Sequence, residues 1–597
     1  MTTDICLGIS LAFLLAGFAG AFILYKMPYK RGRLLSPANW LPAAVFLSAL
    51  ALFFPIYGQQ FGPGPVNLLK TLLISVHTVI RLFVLDGDFV IIDEFTAGLA
   101  PAMADAFSAT AAIVYVLGPI LTFGFILSFF KNVTAYRDLL LSFRSDLYVF
   151  SELNERSLAL ASSIREGSRR STIVFTEVFD QEEENALELR EMAKELKAIC
   201  FRKDIVDINW DLHRDSRNVY LFAIGENEAE NIEQSVKLVD HYGSKQNFRL
   251  FIFASGAESE MLFSAISGDG MRVRRINPVR SLIDHSLYHT GGEIFRHAAD
   301  DGNPEKLISA VLIGMGQHGT EMLKALTWMC QMDGYRLEIN AFDKDPLALE
   351  KLTLQCPELM APERNGTREE GEAHYHIAVH PGVDVSTMDF QRKIQAIDRI
   401  TYVFVALGND SRNTQTAITM RMLSERKGIH PYIQSILYST SKKKILETVT
   451  DYRGHSYDIH FIGDLRSSYC TENIVDSQLY QVALQRHLKW GDEREFWAYE
   501  FNFHSSIAAA IHLEMRKVCG MPWAGKKESE LTDQERDALE RLEHRRWNAY
   551  MRSEGYIYSG SIEKSSRNDL AKLHNNLVPY DELPNKIKHV DSIVGSE

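Results

Sequence analysis

The stretch from Lys306 to Asp343 constrains this chain more than any other. An apolar run, Leu307 to Ile313, leads into Gly314-Met-Gly316-Gln-His-Gly319. Apolar residues at helical spacing follow (Met322, Leu323, Leu326, Met329), and a second apolar run ends at Asp343. The order is strand, glycine turn, helix, strand and terminal acid, which is what a dinucleotide-binding βαβ unit requires. Gly314 permits a tight turn, Gly316 leaves room for a pyrophosphate against backbone N–H groups, and Gly319 lets helix and strand pack closely. Gln317 and His318 stand at the helix start, where His318 either touches a phosphate or points to solvent. Asp343 follows at roughly the 20-residue distance at which a carboxylate accepts ribose hydroxyls. The pattern predicts a Rossmann-like unit and an adenine nucleotide such as NAD(H). The alternative is a fold that keeps the three glycines for packing only.

The whole 597-residue chain is too long for one core. Its net charge of -13 argues against binding a nucleic-acid polymer, which needs a basic face. The six cysteines are scattered without CxxC spacing, so neither a zinc site nor a disulfide framework is expected. No GxSxG, HExxH, phosphate-loop lysine motif or metal-spaced carboxylate cluster occurs, so no catalytic or metal-binding residues are assigned and no enzyme is expected.

The N-terminal part, residues 1–138, has membrane composition. Ile5 to Leu24, Trp40 to Tyr57 and Ala106 to Phe130 are apolar runs that suit bilayer spans. Lys26, Lys30, Arg31 and Arg33 follow the first, and Lys131 and Arg137 follow the third. The positive-inside rule then places both basic sites in the cytoplasm and the N-terminus outside. Val66 to Ile92 is apolar but carries His77, Arg81, Asp86 and Asp88, and it follows the Gly62-Pro63-Gly64-Pro65 turn. The expectation is an interfacial or re-entrant segment, with a fourth span as the alternative. The chain is expected to be a multi-pass inner-membrane protein with cytoplasmic C-terminal domains.

The glycine unit is repeated. Asp146 to Ile164 aligns with it without gaps, placing Glu152 on Gly314, Asn154 on Gly316 and Ser157 on Gly319. Farther on, Asn218 to Gly225 matches Thr401 to Gly408. Two α/β domains follow, at 145–300 and 306–490, and the first has lost its glycines. The first is expected to be structural or to bind something else. In the second, Gly408, Asn409 and Asp410 end the presumed fourth strand, where a ligand crevice forms. With Gly314 to Gly319, Phe342 to Asp345, Tyr402 to Ala417 and, in the first copy, Arg272 to Tyr288, the pair resembles the tandem RCK (TrkA-N type) domains that gate ion channels and transporters. That resemblance implies a homo-oligomeric ring, dimeric or tetrameric, and a nucleotide or ion as ligand. The membrane part departs from the two-helix pore with a filter.

The last module, residues 500–597, has a helical pattern with a Thr532-x-x-Glu535 capping box. Glu543-His544-x-x-Trp547-Asn548, Gly555-Tyr556 and Leu577 to Leu583 resemble the small, mostly α-helical RyR domain, the ryanodine-receptor repeat. Bacterial proteins of such architecture are suspected second-messenger sensors, some in phage defence, which is an implication of the resemblance. From the residues themselves, Trp547 and Tyr556 either stack on a base or fill the module's core. His544 and Arg546 are candidates to meet a phosphate.

The fold class expected is therefore an α-helical transmembrane region, two α/β Rossmann-like (RCK-type) domains and a small RyR domain. The function expected is a ligand-gated, ion-channel-like membrane protein that senses a nucleotide or second messenger. The alternatives are a non-conducting membrane-anchored sensor or scaffold and an NAD-dependent oxidoreductase.

Overall fold

The computed structural model describes residues 3–26, 37–84, 86–87, 89–142, 145–168, 170–178, 184–211, 217–263, 270–360, 363–364, 367–368, 374–560, 567–584 and 587–588. Lys30, Arg31, Arg33 and Asp88 of the topology argument lie outside the described residues. Two compact units form, residues 1–143 with 199–208, and residues 144–198 with 209–597.

The first unit holds helices Thr3–Lys26, Pro37–Phe61, Pro65–Phe83 and Pro101–Leu141, and a short helix Val90–Thr96. The four longer ones are each long and apolar enough to cross a membrane. The segment expected to be interfacial or re-entrant, with a fourth span as the alternative, begins with a helix. Pro65–Phe83 is one continuous helix of 19 residues, about 28 Å at 1.5 Å per residue, against a hydrocarbon core of about 30 Å. It packs against Pro37–Phe61 and Pro101–Leu141. Its buried face holds Thr71, Ser75, Val79 and Leu82, whereas Leu68, Leu69, Leu72, Leu73 and Ile80 are exposed. Hydroxyls inward and leucines outward is the arrangement a lipid solvent favours. Two interhelical hydrogen bonds, Ser10 Oγ to Ser48 Oγ at 2.7 Å and Tyr57 Oη to Thr78 Oγ1 at 2.9 Å, fit the same solvent.

The second part of the chain is built on two six-stranded parallel sheets with helices, both Rossmann-like. Strands β1 (Leu147–Phe150), β2 (Thr172–Phe175), β3 (Ile199–Cys200), β4 (Val219–Ala223), β5 (Phe248–Phe253) and β6 (Arg272–Ile276) form the first. Its order is β3-β2-β1-β4-β5-β6. The second sheet starts with β7 (Lys306–Ile313) and β8 (Tyr335–Phe342), followed by a two-stranded hairpin of β9 (Glu363–Arg364) and β10 (Thr367–Arg368). It continues with β11 (Tyr375–His380), β12 (Tyr402–Val405), β13 (Tyr432–Ile436) and β14 (Ile459–Ile462), in the order β11-β8-β7-β12-β13-β14. The two orders are the same when each sheet is counted from its own first strand. Leu307 to Ile313 is buried throughout, because helices cover both faces of a parallel sheet.

The C-terminal helices Glu500–Val518 and Asp533–Ser553 share the apolar core of the second sheet. The helix that opens at the glycine turn, Gln317–Met329, lies along Asp533–Ser553, with Trp328 edge-on to Tyr550 at 6.4 Å. His512 meets the carbonyl of Gln331 at 2.8 Å, Arg545 pairs with Asp333 at 2.7 Å, and Arg280 pairs with Glu554 at 2.9 Å.

Candidate functional site

In a doubly wound sheet the ligand crevice opens where strand order reverses, at the carboxyl ends of the first and fourth strands. Here those strands are β7 and β12, and the loops after them are Gly314 to Gly316 and Ala406 to Asn409.

The three glycines of the first loop differ in purpose. Gly314 has φ +95°, and a Cβ there would lie 2.3 Å from the Ala406 carbonyl oxygen. A Cβ on Gly319 would lie 1.7 Å from the Gly314 carbonyl oxygen. Both are dictated by packing, as in the packing-only reading. Gly316 is different: a Cβ there meets nothing within 4 Å. It is the N-cap of Gln317–Met329 and supplies no side chain to the helix N-terminus, which is where an anion binds. Gly408, across the crevice at φ +74°, also faces open space.

Asp343 closes the turn from the end of β8. Its Oδ2 accepts the Met315 N–H at 2.5 Å and its Oδ1 accepts the Asp345 N–H at 2.7 Å. The carboxylate is therefore a fixed part of the crevice wall, with each oxygen retaining a lone pair for a hydroxyl donor. Gln317 is exposed. His318 does not point freely to solvent: it is half-buried, edge-on to Tyr438 at 6.2 Å, and burial lowers its pKa. His318 and Tyr438 thus bring the two halves of the sheet together beside the crevice.

Asn409 and Asp410 serve the backbone. Asn409 caps Asp410–Arg426 by accepting the Ser411 and Arg412 N–H groups at 3.0 and 3.1 Å. Asp410 accepts the N–H groups of Tyr438 and Ser439 at 2.9 and 3.1 Å. Asn413, which the sequence reading missed, takes the Leu407 N–H at 2.6 Å and donates to the Ile436 carbonyl at 2.9 Å. Asn231 bonds Gly225 and the Phe253 carbonyl in the same way, so Gly225 corresponds to Leu407 and the match of Asn218 to Gly225 with Thr401 to Gly408 is one residue out of register.

The first α/β unit fills its own crevice. Asn154 replaces Gly316 as N-cap, takes the Ser157 N–H at 2.9 Å, and donates to the Ile224 carbonyl at 2.9 Å. Glu152 accepts the Glu226 N–H at 3.0 Å, and a Cβ on Gly225 would lie 2.8 Å from its carboxylate. In the second unit Gly408 stands where Glu226 does, and the space beside it is open.

Trp547 and Tyr556 are not brought together as a clamp. Tyr556 is buried in the shared core, and its hydroxyl donates to Asp569 at 2.6 Å. Trp547 is half-buried and lines a cavity of about 400 Å³ with Arg486, Trp490, Glu543, Arg546 and Arg567 among others. His544 is buried against the Val578 carbonyl at 2.8 Å. Arg546 is also buried and turns to Glu543 through Nε and Nη2 at 3.0 and 2.7 Å. Among the described residues no group of three or more His, Cys, Asp and Glu side chains is placed to hold a metal ion.

No protein-family model matches the chain, and no curated protein matches it.

Proposed function

We propose that this protein is a ligand-gated, ion-channel-like membrane protein whose second α/β unit responds to an adenine nucleotide such as NAD(H). The observation that carries the reading is the contrast between the two crevices. Glu152 and Asn154 occupy the first, while Gly316 and Gly408 leave the second open around a bare helix N-terminus and the Asp343 carboxylate. Two units of one fold, one filled and one open, fit a scaffold paired with a sensor.

The membrane helices would conduct or assemble in response, and the chain would sit in the inner membrane as a homo-oligomer with its α/β part in the cytoplasm. Only five residues, 142–146, separate helix Pro101–Leu141 from strand β1. A ligand shifts such an assembly only through different affinities for its two states. The tandem RCK and RyR resemblances add weight to gating and to a second-messenger ligand, and a role in stress or phage defence follows from them as part of the proposal.

Reconstitution tests the reading. Ion flux from liposomes carrying the purified protein is expected to change on adding adenine nucleotides, and the change is expected to vanish in Gly316→Asn. Nucleotide binding without flux under any nucleotide would overturn the channel and leave a membrane-anchored sensor.

A further inference from the structure

The C-terminal cavity borders a cluster of buried charges. Glu543, Arg516 and Arg546 are each about 1 % exposed and Arg486 is 4 % exposed. Glu543 pairs with both Arg516 and Arg546. Burial raises the Glu543 pKa, but Arg546, Arg516 and Arg486 together outweigh it and hold the carboxyl below its usual range. One buried carboxylate thus stands among three buried guanidinium groups. The nearby histidines add no negative charge, and burial keeps His512 and His574 neutral at pH 7.

Arg546 carries the second observation. Its Nε and Nη2 are used on Glu543, while Nη1 is buried and has no hydrogen-bond partner among the described residues. A buried guanidinium donor left over is costly unless something accepts it. Arg546 lines the cavity of about 400 Å³, and so do Trp547, Trp490 and Arg567. The volume falls within the range of about 300–1,000 Å³ that small-molecule sites occupy. Trp490 is 43 % exposed and Trp547 half-buried, so the wall presents indole surface beside the cationic end. Ring surface next to a guanidinium is the chemistry that recognises a base carrying a phosphate.

We propose that this cavity is a second ligand site, separate from the glycine-turn crevice, for a phosphate ester of mononucleotide size whose phosphate meets Arg546 and whose ring lies on Trp547. The site stands independently of the crevice reading. Its wall residues Glu543, Arg546 and Trp547 belong to the helix that packs on Gln317–Met329, so the two sites share a helix contact.

Calorimetry on the full-length protein in detergent tests it, with 5′-mononucleotides, 3′,5′-cyclic mononucleotides, the matching nucleosides and inorganic phosphate as probes. At least one nucleotide is expected to bind, with its nucleoside weaker by about tenfold or more, a loss of about 1.4 kcal/mol. Trp547→Ala and Arg546→Gln are each expected to weaken that nucleotide by about tenfold or more. Gly316→Asn, in the crevice, should leave it unchanged. Arg546→Gln disturbs a buried ion cluster and can unfold the module, so Trp547→Ala, confirmed folded by its thermal melt, decides the case if it does. The proposal is overturned if no nucleotide binds, if nucleoside and nucleotide bind alike, or if Trp547→Ala binds as wild type. Binding that is lost in Gly316→Asn but kept in Trp547→Ala overturns it while leaving the crevice reading intact.

Discussion

Asp410 stands in the second α/β unit where Glu228 stands in the first. Each is the first residue of the helix after the fourth strand, and each carboxylate accepts two backbone N–H groups from the loop after the fifth. Asp410 takes Tyr438 and Ser439 at 2.9 and 3.1 Å, and Glu228 takes Ser255 and Gly256 at 2.9 and 2.6 Å. Burial opposes the Glu228 charge, but the Gly256 and Ser255 bonds lower its pKa overall. Both acids are loop ties, and they keep the crevice edge fixed in both units. Asp410→Ala strands two N–H groups and is expected to destabilise the protein by about 2 kcal/mol. Asp410→Asn, which retains one acceptor, should lose about half of that in chemical denaturation.

What the sequence made legible here was whatever repeats or has a period. The β7 strand, the glycine turn and the gapless match of Asn154 to Gly316 all reappear in the structure, because each depends on a local pattern. The ties do not. Asp410 at a helix start looks like any first-turn acid, and its partners lie 28 and 29 residues away. The C-terminal cavity draws on Arg486, Arg546 and Arg567, which no local window contains together. In Pro65–Phe83 the polar residues Lys70, His77 and Arg81 share one exposed stripe, an arrangement that shows only once the segment is a helix.

The glycines separate packing from binding. Gly319→Ala places a methyl 1.7 Å from a backbone oxygen and should cost about 3 kcal/mol or more, since neither helix nor strand can yield. Gly316→Asn copies the first unit, where Asn154 caps the helix, and asparagine is among the best N-cap residues. Thermal stability is expected to hold or rise while NAD(H) affinity at the crevice falls about tenfold or more. Equal affinity in Gly316→Asn would return all three glycines to packing alone.

Acid should weaken the C-terminal part. Burial, aided by Arg567, pushes the His574 pKa down to about 4 from the usual 6.5. A histidine depressed in the folded state is neutral there, whereas the unfolded chain takes up its proton below pH 6.5. The stabilisation is fully present above pH 6.5 and is lost as pH falls through the window down to 4. Between pH 7 and pH 5 the loss from this group is about 2 kcal/mol. His574→Gln is expected to flatten that part of the pH–stability profile measured by denaturant titration.

Asp343→Ala probes structure and ligand together. The carboxylate holds the N–H groups of Met315 and Asp345, so its removal should destabilise the turn by about 2 kcal/mol. If ribose hydroxyls also bind there, nucleotide affinity should fall by more than the turn alone explains. Asp343→Asn keeps one acceptor oxygen for the backbone but loses the charge and the second acceptor, so it is the informative variant. The expected result is a stability loss of about 1 kcal/mol, half that of the alanine variant, with a nucleotide affinity by calorimetry reduced about tenfold. A dinucleotide lacking both hydroxyls of its adenosine ribose should bind wild type and Asp343→Asn alike, since the aspartate then has no hydroxyl to accept. If the deoxy ligand loses as much affinity in Asp343→Asn as the ribonucleotide does, Asp343 acts only through the turn it supports.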